Sequence, residues 1–323
     1  KHEISVVNFA DSPNPLELQI GFSFVSIANA KENLEKEMQG KSFEHVRSEA
    51  GQIWENLLSK IKVSGGTERQ KGLFYSTLYR SFLWPALRSD VNGQFTDVKG
   101  NIVNKGFDYY TEPSLWDDYR NKLVLLGMLS PKVTENVIKS LIDKGEKSSG
   151  FMPTFFHGDH AAPFITGSYL RGITNFDVKS ACNLLLRNAT MENHSRPRIM
   201  EYIEKGYISE PDLADPKLET VAAAGVTKTL EYAYDDYAVA QLSKALGNTS
   251  DYEMLMKRTT NYKNVFDPST GFMRGRLANG EWIKKFDPEV IFYEYMYREA
   301  NAWQSSFFAP HDVSGLIGLY NSP

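Results

Sequence analysis

A mainly α fold, built from helices in consecutive pairs, is what this sequence predicts. Three observations carry that expectation. From residue 29 onward apolar side chains recur at helical spacing, segment after segment. Period-two alternation, the mark of a strand, is confined to the first 26 residues. The helical segments are joined alternately by short turns and longer loops with no fixed-length repeat, which disfavours a solenoid and fits a toroid of helical hairpins. A complete (α/α)6 toroid has twelve helices; nine or ten are legible here, so the predicted toroid is incomplete.

The elements follow in order. Residues 3–9 and 16–25 alternate apolar and polar side chains and read as strands, and two strands alone make no stable sheet. Residues 1–28 are therefore expected to be the end of an N-terminal β domain, with the helical domain running over 29–323. Asn33 to Lys60 is helical with a break near Gly40. Thr67 offers an N-cap for a helix that Pro85 halts. Ser114 caps a helix to Leu129, and Pro131 starts another that ends near Gly145. His160 to Arg171 and Asp177 to Asn188 form a pair. Residues 189–226, with Pro197, Pro211 and Pro216, read as a long loop of the kind that lines a site. Thr227 to Leu246 carries the clearest helical stripe and stops at Gly247. Ser250 to Phe266 is the next helix, a Gly/Pro-rich hairpin-like stretch covers 267–288, and a last helix starts near His311.

Composition narrows the function. The chain has 323 residues, 41% of them apolar, so it can bury a substantial core. Its net charge of -4 is spread over 36 basic and 40 acidic residues without a basic stripe, which argues against nucleic acid as a partner. No apolar run approaches the roughly 18 residues of a membrane span. The single Cys182 excludes an internal disulfide and a Cys/His metal site, and on an apolar face it reads as a buried thiol. His157 and His160, three apart with one Asp between them, lack the spacing of a helical zinc site.

Three segments carry the chemistry. Arg298-Glu-Ala-Asn-Ala-Trp-Gln304 sets one carboxylate beside an Asn, a Trp and a Gln, and a Pro-His-Asp turn follows at 310–312. An acid, a flat ring and amide groups are what a sugar-cleaving site needs; Glu299 reads either as its proton donor, with Trp303 as the apolar setting, or as a surface acid paired with Arg298. Pro113-Ser-Leu-Trp-Asp-Asp-Tyr-Arg120 offers Trp116 as a platform with Asp117 to grip sugar hydroxyls, although two acids at a helix start also answer the helix dipole. In Lys228-Thr-Leu-Glu-Tyr-Ala-Tyr-Asp-Asp-Tyr237, Glu231 and Asp235 stand four apart, an unfavourable like-charge spacing that something must compensate: an arginine, sugar hydroxyls, a cation, or Lys228 and solvent. His160 in Gly-Asp-His-Ala-Ala-Pro163 is either a sugar contact or a cap at a loop-to-helix junction.

Together these segments resemble glycoside hydrolase family 92, the calcium-dependent, inverting exo-α-mannosidases. The resemblance runs from Gly21 to Asn321 and includes Phe74-Tyr-Ser-Thr-Leu-Tyr79 and Phe266-Asp-Pro-Ser-Thr-Gly-Phe-Met-Arg-Gly-Arg276. It implies an N-terminal β-sandwich packed on an (α/α)6 toroid, periplasmic or secreted, removing terminal α-mannose from mannosides or N-glycans. It also implies Glu299 as general acid, Trp116, Asp117, His160, Asp235 and Trp303 as substrate-binding residues, and Ca2+ held in part by Asn301 and Gln304. Ala300 replaces the family's usual Gly, and Asp159 the commoner aromatic. The family's general base lies in a Gly-Asn-Asp/Glu-Asp-Cys-Gly-Gln block that this sequence lacks, so the chain is expected to carry the acid without the base and to be inactive alone. Two other classes remain open: a non-catalytic carbohydrate-binding toroid and a different (α/α)6 sugar-active enzyme.

Overall fold

A computed structural model describes residues 16–215, 224–291 and 295–320. The strand expected over 3–9 lies outside the described residues. The strand expected over 16–25 does not form. That segment has no ladder partner among the described residues, and Leu16, Leu18, Ile20, Phe22 and Phe24 are all exposed. Side chains hold it instead: Asn33 Nδ2 donates to the Phe22 carbonyl at 2.6 Å and Thr96 Oγ1 to that of Phe24 at 3.1 Å. Alternation reports two unlike faces, and a ladder also needs a neighbour.

Helices then dominate. α1 (Ile27–Met38) starts where the Ser26 side chain accepts from the Asn29 amide, six residues before the expected start. It ends before Gly40, whose φ of 75° turns the chain into α2 (Phe43–Leu58). α3 (Glu68–Ser81) opens on the expected Thr67, in a reciprocal capping box with Gln70. A small hairpin that the sequence did not announce, β1 (Gln94–Thr96) and β2 (Ile102–Asn104), follows in antiparallel register. The single helix expected from Ser114 is two: α4 (Leu115–Asp118) and α5 (Lys122–Leu129). Asn121 breaks it, because its side chain takes the Lys122 amide at 2.7 Å and competes with the helical acceptor.

α6 (Pro131–Lys147), α7 (Ala161–Leu170) and α8 (Val178–Thr190) fall close to expectation. The long loop after α8 contains a helix, α9 (Ile199–Lys205), anchored by buried Ile199 and Tyr202. α10 (Gly225–Ala245) is central: it packs on α7, α8 and α11 (Thr249–Arg258). A 3-10 turn at Asn261–Val265 replaces the rest of the expected helix. β3 (Phe266–Asp267) and β4 (Phe272–Met273) form the expected hairpin. α12 (Ala302–Ser305) and α13 (Val313–Tyr320) close the described chain.

Sequential helices pack in pairs, α2 on α3, α5 on α6, α7 on α8 and α10 on α11. One apolar core, with Leu123, Ile138, Phe164, Leu185 and Val239 fully buried, fills the space between α5 to α8 and α10. A second, rich in Tyr262, Tyr295 and Tyr297, sits under the N-terminal half of α10. Cys182 is buried as expected, its Sγ 3.8 Å from Ser243 Oγ. α10 is the exception to an amphipathic helix: Glu231, Asp235 and Asp236 are buried along with its apolar residues.

Candidate functional site

Those buried carboxylates mark the site. A cavity of about 150 Å3 opens where three distant segments meet. α4 contributes Trp116, with Arg120 just beyond it; α10 contributes Thr227 and Glu231; the 298–308 segment contributes Arg298, Gln304 and Phe308. Glu231 is 3% exposed and its Oε1 accepts from Trp116 Nε1 at 2.7 Å, so the platform ring is tied to the acid beside it. The Trp116 ring meets Phe156 edge to face at 5.2 Å, and the Arg298 guanidinium lies 4.1 Å over the Phe156 ring.

Behind Glu231 stands a buried ionic spine. His160 Nε2 lies 3.7 Å from Glu231 Oε1, and His160 Nδ1 3.1 Å from Asp235 Oδ1. Tyr119 stacks on the imidazole at 4.2 Å. Asp235 Oδ2 accepts from the Asp159 amide at 2.6 Å. Asp159 Oδ2 takes Arg196 Nε at 3.0 Å, and Asp236 takes Arg196 Nη1 at 2.6 Å as well as Arg258 Nε at 2.8 Å. Four carboxylates and three cationic side chains thus share one interior. The i, i+4 acids of α10 are compensated by His160 and, through the neighbouring aspartates, by arginine.

Residues 29–323 match the catalytic domain of glycosyl hydrolase family 92. The chain belongs to that family. Family 92 structures superpose on it closely. The α-mannosidase BT3965 from Bacteroides thetaiotaomicron has a TM-score of 0.83 and 30% identity, covering 93% of this chain and 40% of that one. The same protein is also known in complex with mannoimidazole. The inverting mannosidase BT2199 from Bacteroides thetaiotaomicron gives 0.83 at 27% identity, with 92% of this chain and 41% of that one covered. An uncharacterized secreted glycosidase of Arthroderma benhamiae is 27% identical over 96% of this chain, which spans 41% of that relative's length.

Around this cavity the residues singled out from sequence divide into groups. Trp116 lines the cavity. Glu299 sits at its lip: Arg298 and Ala300 on either side line the cavity, while the Glu299 side chain is exposed. Its backbone is left-handed, φ 50°, a conformation that costs a non-glycine residue on the order of 1–3 kcal/mol. The segment is pinned to α10, because the Arg298 amide donates to Thr227 Oγ1 at 2.9 Å. His160 and Asp235 do not line the cavity; both are fully buried behind Glu231. Asp117 is exposed on α4, outside the lining, and it is Asp118 that turns inward to pair with Lys122 at 3.1 Å. Trp303 is 53% exposed and meets Phe272 edge to face at 4.9 Å, away from the lining.

Asn301 and Gln304 form the capping box of α12, each side-chain oxygen accepting the other's backbone amide at 3.1 Å. A calcium cage takes six to eight oxygens. Among the described residues no three His, Cys, Asp or Glu side chains stand together as a metal site. Two amide oxygens already committed to a cap do not fit that ion by themselves. Glu231, Arg120 and Arg298 also line the cavity; Glu231 was legible from its spacing, while the two arginines stand in the motif-bearing segments with no sugar-binding role read for them.

Electrostatics give the spine a pH signature. Burial alone would pull the His160 imidazole down, but Asp235 and Glu231 outweigh it and raise it to about 9. The group is therefore charged at neutral pH, and its stabilisation is full below its unfolded value of about 6.5 and lost as pH rises through about 9. His160→Gln should accordingly destabilise the protein most at pH 6, with the gap to wild type closing by pH 10 in denaturant titrations. A gap independent of pH would show that the fold does not raise the imidazole's pKa.

Proposed function

We propose that the cavity holds the terminal sugar of an α-mannoside and that the whole protein removes it hydrolytically with inversion. The observation that carries this reading is convergence. Three segments more than 60 residues apart in sequence, at 116–120, 227–231 and 298–308, meet on one small cavity walled by a tryptophan, a carboxylate and guanidinium groups. An indole face packs on a sugar's C–H face, while Glu231 and Arg120 suit its hydroxyls. With Oε1 already fixed by Trp116, Glu231 is assigned to hydroxyl binding, braced by His160 and Asp235 from behind.

Glu299, on the lip and held by a pinned backbone, is assigned as the general acid that protonates the leaving oxygen. The general base of an inverting pair would stand about 6.5–9.5 Å from it. The isolated 323-residue chain is expected to bind mannose and to turn over little. Calcium enters this reading from the family resemblance alone, and no step is assigned to it. The paired helices are read as part of an (α/α)6 toroid carried on a β domain, in a secreted or periplasmic enzyme acting on mannose-containing oligosaccharides or N-glycans. No helix of the described residues is long and apolar enough to cross a membrane.

Calorimetry tests the assignment of Glu231. Removing a charged acceptor from a sugar hydroxyl costs about 1.5–3 kcal/mol, so Glu231→Gln should weaken mannose binding by about 10- to 100-fold. Unchanged affinity would move the sugar out of this cavity.

A further inference from the structure

Arg196 lies in the loop between α8 and α9, far along the chain from every segment that lines the cavity. Its guanidinium is nevertheless completely buried, with its charged end 5.5 Å from the Tyr232 ring centre. The loop is shaped to deliver it, since the Arg196 amide donates to Asn193 Oδ1 at 2.7 Å. One edge of the fork reaches Asp159, on the segment leading into α7; the other reaches Asp236, on α10. Each aspartate has a further partner, Asn188 Nδ2 at 3.1 Å for Asp159 and Arg258 for Asp236, so both ends of the link are anchored.

We infer that Arg196 is a positioning residue for the cavity: it fastens the 157–160 segment to α10 so that His160 braces Glu231, and Glu231 in turn holds Trp116. Two neighbouring contacts depend on that fastening. The Asp159 amide donates to Asp235, and the next residue, His160, spans Asp235 and Glu231. The segment has no slack: Gly158 has φ 71°, and a Cβ there would lie 2.7 Å from His160 Nε2 and 3.1 Å from Glu231 Oε2. A shift of a few tenths of an ångström at Asp159 must therefore reach the imidazole. A planar guanidinium serves two carboxylates in two directions at once, which a lysine ammonium on a flexible stem does not. The consequence of this link for catalysis rests on the mannoside reading; the link itself does not.

Arg196→Lys separates positioning from charge, because it keeps the cation and removes the fork. The readouts are the His160 titration and the Trp116 indole N–H resonance, followed by NMR in this chain with labelled histidine and tryptophan. His160→Gln and Trp116→Phe assign the two signals. No sugar is added, so the outcome is independent of whether the cavity binds mannose. The groups facing His160 are Asp235 and Glu231 from α10, His157 from its own segment, and the Tyr119 ring. With the fork gone, His160 loosens from its two carboxylates and its pKa falls by about one unit or more. The Trp116 resonance moves toward that of a solvent-exposed indole. A general loss of stability would move neither signal in the folded state. A folded Arg196→Lys with both signals unchanged overturns the inference and leaves Arg196 a simple brace. Should that variant not fold, Asp159→Asn with Arg196→Gln, which removes one acid and one cation together, is read the same way. Failure of both to fold also overturns it, by making Arg196 a requirement of the core and not a device of the cavity.

Discussion

Glu299→Gln in the whole protein should lose about 10²–10⁴-fold in kcat/KM on a mannobioside. The sugar leaving group departs as a poor alkoxide and needs the proton that Glu299 is placed to give. An aryl mannoside whose phenol is already a good leaving group needs little protonation and should lose far less. The alkaline limb of the pH–rate profile, where the acid surrenders its proton, should flatten in the variant. Equal losses on both substrates would mean that Glu299 positions the sugar and donates no proton. The left-handed backbone at Glu299 gives a reason to expect the first outcome: strain of that kind persists where surrounding contacts over-determine it, and here α10 supplies the contact through Thr227.

The second large effect concerns the fold beneath the cavity. Asp236 is fully buried and accepts from both Arg196 and Arg258. Asp236→Ala leaves two buried guanidinium groups without their shared acceptor in a low-dielectric interior, with Arg258 keeping, among hydrogen bonds to the described residues, that to the Ala189 carbonyl at 2.9 Å. Breaking one buried pair by removing one partner costs about 3–5 kcal/mol, and the loss of a shared partner should fall at the upper end. Urea titration reads it directly. A change below about 1 kcal/mol would show that water reaches the spine and screens it.

What the sequence disclosed follows from what each signal measures. Gly40, Thr67, Pro131 and Gly247 act locally, through their own backbone preferences, and the helix boundaries they announce are where they belong or within a few residues. Asn121 acts locally too, but its competition with the helix is decided by geometry, and one expected helix became two. Alternation over 16–25 describes the surface of a strand without naming a partner, and none is present among the described residues.

At the site the same division holds. The like-charge spacing of Glu231 and Asp235 showed that compensation was required. That it comes from His160 and a chain of aspartates and arginines was not legible, because the pairs join residues 22 to 75 positions apart along the chain. Arg196 had no signal at all: in Glu192-Asn-His-Ser-Arg-Pro-Arg198 it has the look of a solvated loop residue, and only packing reveals that its charge is interior. The sequence pairs Trp116 with Asp117, but a four-residue helix turns adjacent side chains in different directions: Trp116 reaches the cavity, Asp118 goes inward, and Asp117 faces water.

The most direct test is a crystal structure of the whole protein with mannoimidazole, the molecule already seen in complex with the α-mannosidase BT3965. The expected result is a sugar ring in the Trp116–Glu231 cavity, hydroxyls on Glu231 and Arg120, and the Glu299 carboxyl about 2.6–3.2 Å from the ring nitrogen that takes the place of the glycosidic oxygen. A ring bound elsewhere, or a different carboxylate at that nitrogen, would contradict it.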